Sequence, residues 1–205
     1  MTTPKYKLYS FHPSGNCYKL RLVLSQLALP YELVVVDILD QESRTAAFLA
    51  MNPNGRVPLL QVNDRYLPES NAGLWYLAQG SNLIPSDSFE RAQVLEWLFF
   101  EQYSHEPNIA TVRYWVSILN AESDYADDII EKRIKGYAAL DVMETHLSSQ
   151  PYFVGQRYSI ADIALYAYTH VAHEGGFDLS PYPHITRWIR AIEAQPNYLT
   201  IKAEP

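Results

Sequence analysis

The sequence predicts two domains of different fold class, an α/β domain followed by an all-α domain. Over residues 1–80, short apolar runs alternate with helical stripes, and turn-forming residues separate them. Over residues 88–205 the apolar residues recur only at helical spacing. Pro85 to Asp87 lies between the two patterns and has the composition of a linker. We therefore expect one domain over 1–80 and a second over 88–205.

The first domain is predicted to begin with a strand, a loop and a helix. Lys5 to Phe11 alternates enough for a short strand, and residues 12–16 have the composition of a loop. From Cys17 onward, apolar residues recur at i, i+3, i+4 and i+7, which is typical of a helix. That stripe consists of Leu20, Val23, Leu24 and Leu27.

The remainder of the first domain completes an alternating order. The apolar run Tyr31–Leu39 is typical of a buried strand, and Ser43–Met51 is predicted to be a short helix. Strands at 57–62 and 65–67 form a hairpin, and a helix follows over 69–79. The resulting order, β-α-β-α-β-β-α, is the thioredoxin-like order. In that order a ligand site lies at the strand ends facing the first helix.

The second domain begins with two long helical stretches. Phe89–Asn120 is helical in pattern, but Pro107 within it should kink or break the helix. Glu122–Ser149 is predicted to be the next helix, with an apolar stripe on one face. The members of that stripe are Ile130, Ile134, Tyr137 and Leu140.

Two further helices complete the second domain. Ser159 and Asp162 have the spacing of a capping box, which predicts that a helix begins there and runs to about Val171. A last amphipathic helix is expected over Pro183–Ala194. The chain therefore combines a thioredoxin-like domain with an all-helical domain.

Composition excludes several classes of protein. The net charge is −7 and no basic patch is apparent, so we expect no nucleic-acid partner. The single cysteine, Cys17, excludes an internal disulfide and a multi-cysteine zinc site. The N-terminus lacks a signal-like apolar run, and no segment approaches the length of a membrane span. A cytoplasmic protein with no membrane partner is expected.

The first candidate site feature is a proline at the start of a strand. Pro58 precedes the apolar pair Leu59 and Leu60, and a proline cannot donate a ladder hydrogen bond. A cis peptide after Val57 is one way to build such a corner. It would turn the N–H and C=O of Val57 outward, where they could pair with an extended ligand backbone.

The second candidate feature is the expected N-terminus of the helix at 69–79. Free N–H groups and the helix dipole at Ser70 suit a carboxylate, and Glu69 suits an ammonium. Together with Val57, this pair suits a peptide-like ligand that carries one of each group. The alternative is purely structural, with a strand start at the Val-Pro corner and a capped helix at the Glu-Ser turn.

Four stretches together resemble a cytosolic glutathione S-transferase, over essentially the whole chain. They are Ser-Gly-Asn-Cys-Tyr-Lys at 14–19, the run 52–60, Pro-Glu-Ser at 68–70, and Ser-Ile-Ala-Asp at 159–162. The loop with a serine before the first helix resembles that of the serine-type branch, which is related to the theta and phi classes. The chain looks like a bacterial member of this branch. The resemblance implies a homodimer that binds glutathione between the Val-Pro corner and the Glu-Ser turn. A hydrophobic electrophile would bind on the helical domain.

The resemblance also implies how glutathione would be activated. A free thiol has a pKa of about 8.5, so only roughly 3 per cent is thiolate at pH 7. Donors aimed at the sulfur can lower that pKa, and a drop of about two units corresponds to roughly 2.7 kcal/mol. The catalytic candidate is Ser14, acting as a hydrogen-bond donor to the sulfur and not as a nucleophile. Asn16 is its nearest rival.

Cys17 and Arg56 have two interpretations each. Other branches of the family use a cysteine near the start of the first helix, where the dipole would lower its pKa. The register places Cys17 within the first helical turn, which favours a buried, inert thiol. Arg56 occupies a position where the family often has a lysine near glutathione, but it could be a solvated turn charge. The implied glutathione-binding set is Ser14, Asn16, Arg56, Val57, Glu69 and Ser70.

In the helical domain, Tyr103 and His105 precede Pro107 and are our candidates for the electrophile pocket. A core position or a dimer contact is the alternative for either residue. His170 and His173 share a helix face, which invites a metal interpretation, but they match neither zinc-hydrolase order. We therefore expect no metal, with glutathione as the co-substrate.

Three functional hypotheses follow. The first is a dimeric glutathione transferase that adds the glutathione thiolate to hydrophobic electrophiles. The second is a glutathione-dependent disulfide or peroxide reductase on the same scaffold. The third is a non-catalytic interaction module, which would bind no glutathione. The presence of both the Val-Pro and the Glu-Ser features argues against the third.

Overall fold

The computed structural model describes residues 5–203 and divides the chain into two compact units. The second unit is Asn82–Gln195, and the first combines the residues before Asn82 with the segment from Pro196 onward. The sequence had placed that last segment in the helical domain. It contains no helix or strand up to residue 203, so no periodicity marks where it belongs.

The first unit is a four-stranded mixed sheet with three α-helices. Strand β1 pairs in parallel with β2 and antiparallel with β3, and β3 pairs antiparallel with β4, giving the order β2-β1-β3-β4. The predicted thioredoxin-like order is confirmed. Its elements are β1 (Tyr6–Ser10), α1 (Gly15–Gln26), β2 (Tyr31–Val35), α2 (Ala46–Met51), β3 (Leu59–Val62), β4 (Arg65–Pro68) and α3 (Ser70–Leu77).

One strand differs from its prediction. The run that includes β2 was expected to be a buried strand, but β2 is shorter and lies at the edge of the sheet. Val35 is 65% exposed, whereas the next residue, Val36, is 4% exposed. Because β2 is an edge strand, no neighbouring strand lies on its outer side. Part of the apolar run therefore remains exposed to solvent.

The C-terminal segment is attached to α1 by buried polar side chains. The Arg21 side chain is completely buried, and its guanidinium donates to the carbonyls of Ile201 at 2.9 Å and Ala203 at 3.0 Å. It also donates to the carbonyl of His12, in the loop before α1, at 3.0 Å. On the same helix, the Tyr18 hydroxyl donates to another carbonyl of the segment at 2.7 Å. The segment therefore supplies acceptors that the interior of the first unit needs.

The second unit is entirely helical in its regular structure over the described residues, as predicted. No helix within residues 5–203 combines the length and the apolar character needed to cross a membrane. The helices are α4 (Ser88–Phe100), α5 (Glu106–Arg113), α6 (Ala126–Leu147), α7 (Ile160–Thr169) and α8 (Pro183–Glu193), with π-helical turns at Glu101–His105 and Tyr114–Ile118.

Pro107 changes the helical hydrogen bonding without ending the helix. The π turn Glu101–His105 lies directly before it, and the N–H of Glu106 donates to the carbonyl of Glu101, five residues back. A proline has no N–H and its ring crowds the preceding turn, so a wider turn accommodates it. The predicted interruption is therefore a local π turn, and helical structure resumes in α5.

The predicted stripe of α6 is wrong in part. Ile130 and Ile134 are 60% and 67% exposed. The buried face is rotated by about one residue, so that Ile129 is buried in place of Ile130. Small residues contribute to this face: a Cβ at Gly136 would lie 2.6 Å from the Phe177 ring. A stripe of large apolar residues does not mark this face, because two of its members are glycine and alanine. The buried residues of α6 are Ile129, Gly136, Ala139, Leu140, Met143 and Leu147.

The capping box that opens α7 is confirmed and is fully buried. One oxygen of the Asp162 carboxylate accepts from the N–H and the hydroxyl of Ser159, at 2.9 and 3.0 Å. The other accepts from the N–H of Phe153 at 3.2 Å and from the Trp188 indole at 2.9 Å. A helix cap therefore also joins α8 and the segment before α7 to the helix start.

Candidate functional site

The first part of the site is the N-terminus of α1. Ser14 is the N-cap residue, with φ −71° and ψ 124°, and it is half-buried. Its hydroxyl oxygen accepts a hydrogen bond from the N–H of Cys17 at 3.3 Å. A serine that caps a helix in this way uses an acceptor lone pair and keeps its O–H proton as a donor.

Cys17 is buried, as the register predicted, with no exposed surface. Burial raises the pKa of its thiol. The N–H of Phe11 donates to the Cys17 sulfur at 3.4 Å, and this hydrogen bond opposes that increase only in part. A thiolate is therefore disfavoured at this position, in spite of the nearby helix N-terminus.

The second part of the site is the loop that precedes β3. The Val57–Pro58 peptide is cis, and neither backbone polar group of Val57 takes part in a backbone hydrogen bond within residues 5–203. Buried Asn52 shapes this loop by donating to the carbonyl of Arg56 at 2.8 Å. The Arg56 residue itself is exposed. Gly55 adopts φ +62°, and a Cβ there would meet the Arg44 guanidinium at 2.5 Å, so the turn requires glycine.

The third part is the start of α3. Glu69 is exposed and adopts φ +71°, and α3 begins at the next residue, Ser70, which is buried. The Ser70 hydroxyl donates to the side-chain oxygen of Asn16 at 3.0 Å. The structure thereby joins the N-termini of α1 and α3, two of the three regions that the sequence singled out. The first N–H groups of a helix have no partner within the helix itself, so both ends can attract an anion.

Sequence reasoning missed Lys19, which belongs to the same cluster. The residue is completely buried. Its ammonium donates to the hydroxyl of Ser70 at 3.3 Å and to the side-chain oxygen of Asn71 at 3.3 Å. Helical periodicity did not indicate that Lys19 is buried, because a lysine is normally assigned to the solvent-exposed face of a helix. The only signal was its position inside the motif at 14–19.

The two residues predicted for the electrophile pocket are not brought together. Tyr103 is 87% exposed, whereas His105 has no exposed surface. The His105 ring contacts the hydroxyl of Thr169 on α7 at 2.9 Å. His105 is therefore a core residue of the helical unit. Tyr103 and His105 lie in one π turn, where a difference of two positions reverses the direction of the side chain.

Of the two histidines near the end of α7, His170 has structural partners. His170 donates from Nδ1 to the carbonyl of Tyr166 at 2.7 Å and stacks on the ring of that tyrosine. Glu174 forms an ion pair with Arg113 at 2.7 Å, and His173 is exposed. Within residues 5–203, no three His, Cys, Asp or Glu side chains are grouped as metal ligands.

His170 should make the stability of the protein depend on pH. Burial lowers the pKa of His170 from 6.5 to about 4, so the unfolded chain binds the proton more readily. Stability that is present above pH 6.5 should therefore be lost as the pH falls toward 4. At pH 5 the loss should be about 2 kcal/mol. Urea unfolding of wild type and His170→Asn at pH 7.5 and pH 5 measures how much free energy of unfolding each protein loses between the two pH values.

The comparison with a variant is needed because Asp162 acts in the opposite direction. Burial raises the pKa of Asp162 to about 6. The contribution of Asp162 to the free energy of unfolding therefore falls as the pH rises from 4 to 6. The exposed His173→Asn variant is the matched control and should keep the pH dependence of wild type. An unchanged pH dependence in His170→Asn would show that His170 contributes nothing to it.

Comparison with known proteins agrees with both units. The family model described as "Glutathione S-transferase, N-terminal domain" matches residues 4–79, and "Glutathione S-transferase, C-terminal domain" matches residues 109–196. The crystal structure of glutathione S-transferase from Pseudomonas fluorescens Pf-5 is 52% identical, with a TM-score of 0.94. That similarity covers 96% of this chain and 98% of the solved one.

Two curated relatives also align over most of their length. Glutathione S-transferase 3 of Zea mays is 31% identical over 97% of this chain and 94% of its own. Disulfide-bond oxidoreductase YfcG of Escherichia coli strain K12 is 28% identical over 91% of this chain and 89% of its own. Both family models, the 52% identical structure and the maize relative agree: this chain belongs to the glutathione S-transferase family.

Proposed function

We propose that the protein is a glutathione transferase that binds glutathione in its first unit and activates the thiol as a thiolate. The observation that carries the proposal is the hydrogen bond between Ser70 and Asn16, which joins the N-termini of α1 and α3. One helix end can hold a carboxylate, and the other can stabilise a thiolate. Both groups belong to a single ligand in glutathione.

Each predicted glutathione-binding residue has a role in this proposal. The free N–H groups at Ser70 would hold the γ-glutamyl carboxylate, and the exposed Glu69 would hold the adjacent ammonium. The backbone of Val57 would pair with the cysteinyl backbone. The exposed Arg56 would serve the glycyl carboxylate. Asn16, bonded to Ser70 in the absence of ligand, would hold the two helix ends together before glutathione binds.

Ser14 would lower the pKa of the bound thiol, as in the serine-type branch of the family. Its oxygen accepts from the N–H of Cys17, so its O–H can donate to the sulfur of glutathione. The thiolate then attacks an electrophilic carbon, a carbon–sulfur bond forms, and the leaving group departs with the electron pair of the broken bond. Burial of Cys17 removes it as a competing nucleophile.

The helical unit would supply the electrophile site and a homodimer contact. Large apolar side chains are exposed on α4 and α6, a pattern that marks interaction surfaces. Tyr103 is exposed on the same unit and remains the candidate for the electrophile. We place the protein in the cytoplasm. The exposed apolar side chains of α4 and α6 are Phe89, Leu95, Phe99, Ile130, Ile134 and Val142.

A reductase is the second candidate, because one relative is named as a disulfide-bond oxidoreductase. In that reaction the thiolate of glutathione attacks a disulfide, and a second glutathione releases the product as a thiol. Oxidised glutathione is the other product, so electrons balance without a metal or a flavin. The same Ser14 contact would serve both reactions, and only the second substrate differs.

Ser14→Ala should raise the pKa of bound glutathione by about one to two units. The thiolate population at pH 7 would then fall, and kcat/KM with an aryl halide should drop about 10-fold. The dissociation constant of glutathione should change little, because the carboxylate end keeps its contacts. Calorimetric titration and thiolate absorbance against pH measure both quantities, with a small disulfide as a parallel substrate.

Ser25→Ala is the matched control, since Ser25 lies near the other end of α1 and donates to Asn197. It should leave the thiol pKa unchanged. Binding without a pKa change in Ser14→Ala would transfer the role to Asn16. High activity on the disulfide with little on the aryl halide would favour the reductase. Failure of wild type to bind glutathione would remove both enzymatic proposals and leave an interaction module.

A further inference from the structure

We infer that Lys19 is a positioning residue for the carboxylate end of the γ-glutamyl ligand, acting through Ser70 and Asn71. The inference rests on the proposed function, because it assigns a recognition role within that site. Lys19 is completely buried and donates to both of these side chains at 3.3 Å. They are the first two residues of α3, where the carboxylate would bind.

The Ser70 hydroxyl accepts one hydrogen bond and donates another, so it links Lys19 to Asn16. Its oxygen accepts from the ammonium of Lys19, and its O–H donates to the oxygen of Asn16 at 3.0 Å. A hydroxyl that accepts from a cation becomes a stronger donor, since neighbouring hydrogen bonds polarise one another. A ligand carboxylate is a better acceptor than an amide oxygen. It would therefore compete with Asn16 for this O–H.

The charge of Lys19 has a second effect at this end of α3. The N-terminus of a helix carries a partial positive charge, and the ammonium lies against it. An anion at the start of α3 would be attracted by both. Because the side chain is buried, solvent screens this attraction less than at the surface. Lys19 would thus favour ligands that carry a carboxylate at this point.

Packing between α1 and α3 does not depend on the lysine. A Cβ at Gly73 of α3 would lie 2.8 Å from the Leu20 side chain of α1, so the helices are already in close apolar contact. Leu20 is 1% exposed, and Leu74 of α3 is completely buried. Loss of the ammonium should therefore weaken carboxylate recognition while the two helices stay packed together.

The test compares two ligands. Glutathione and γ-aminobutyryl-cysteinylglycine differ only in the γ-glutamyl α-carboxylate, so the ratio of their dissociation constants reports recognition of that group. Wild type should prefer glutathione by about 100-fold. Lys19→Met should reduce the preference to about 10-fold, with a change of less than about 3-fold for the analogue. Lys7→Met on β1, which removes the same charge, should retain the preference of wild type.

Two further variants cover a failure of Lys19→Met to fold. Lys19→Gln keeps a donor without the charge and should show the same reduced preference. Asn71→Ala removes one acceptor of the ammonium from a half-buried position and should reduce the preference about 3-fold. Urea unfolding establishes which variants are folded.

The outcomes separate this inference from the proposed function. An equal loss of affinity for both ligands in the Lys19 variants would show a merely structural role and overturn the inference. An unchanged preference in the folded variants would do the same. Equal binding of the two ligands by wild type would overturn the inference but leave glutathione binding intact. If wild type bound neither ligand, the proposed function itself would fail.

Discussion

Asp162→Ala should lower the free energy of unfolding by about 3–5 kcal/mol. The carboxylate is completely buried and accepts four hydrogen bonds, so alanine would leave four buried donors without their partner. One of these donors is the indole of Trp188, the largest fully buried side chain of the chain that the structure describes. The start of α7 and the position of α8 should both loosen. Urea unfolding followed by tryptophan fluorescence measures the change.

Asp87→Ala is the matched control for this prediction. Asp87 also caps a helix, accepting from two N–H groups at the start of α4 at 2.9 Å. Those hydrogen bonds are exposed, so water can replace the lost acceptor and the cost should be about 1 kcal/mol. Equal losses in the two variants would mean that Asp162 contributes as an ordinary cap, without an added effect of burial.

Arg21→Met should lower the free energy of unfolding by about 3 kcal/mol or more. Methionine fills much of the same volume but leaves the carbonyls of His12, Ile201 and Ala203 without the guanidinium. The C-terminal segment should also detach more often. Limited proteolysis, monitored by mass spectrometry, should therefore cut the variant after residue 196 at concentrations of protease that spare wild type.

The exposed Arg65→Met on β4 removes the same charge and should change stability by less than about 0.5 kcal/mol. Proteolysis of its C-terminal segment should match wild type. If Arg21→Met resisted protease as wild type does, the segment would be held by Tyr18 and its other contacts. The guanidinium would then be unnecessary for docking.

Much of the fold could be predicted because the structure that the local sequence patterns favour is also the one that the tertiary structure contains. The spacing of Ser159 and Asp162 predicted the start of α7, and the same carboxylate proved to be fully buried. Pro58 predicted both a strand start and the cis peptide after Val57. In these cases one residue type has few structural uses, so the sequence is informative by itself.

Other features depend on contacts between distant parts of the chain. Lys19 and Arg21 look like surface charges on a helical stripe, and only α3 and the C-terminal segment show why they are buried. Ile130 and Ile134 look like core residues, yet they are exposed on α6. A binary pattern assigns residues to faces by their chemistry, so it fails where a charge is buried or an apolar side chain is exposed.

The first unit is built from two parts of the chain that are synthesised at different times, because the helical unit lies between them in the sequence. The guanidinium of Arg21 finds two of its acceptors at residues 201 and 203, which emerge after the whole helical unit has been made. At translation rates of about 5–20 residues per second, that interval is on the order of ten seconds. During it α1 carries a charge whose acceptors do not yet exist. The first unit can therefore be completed only after the helical unit has been synthesised.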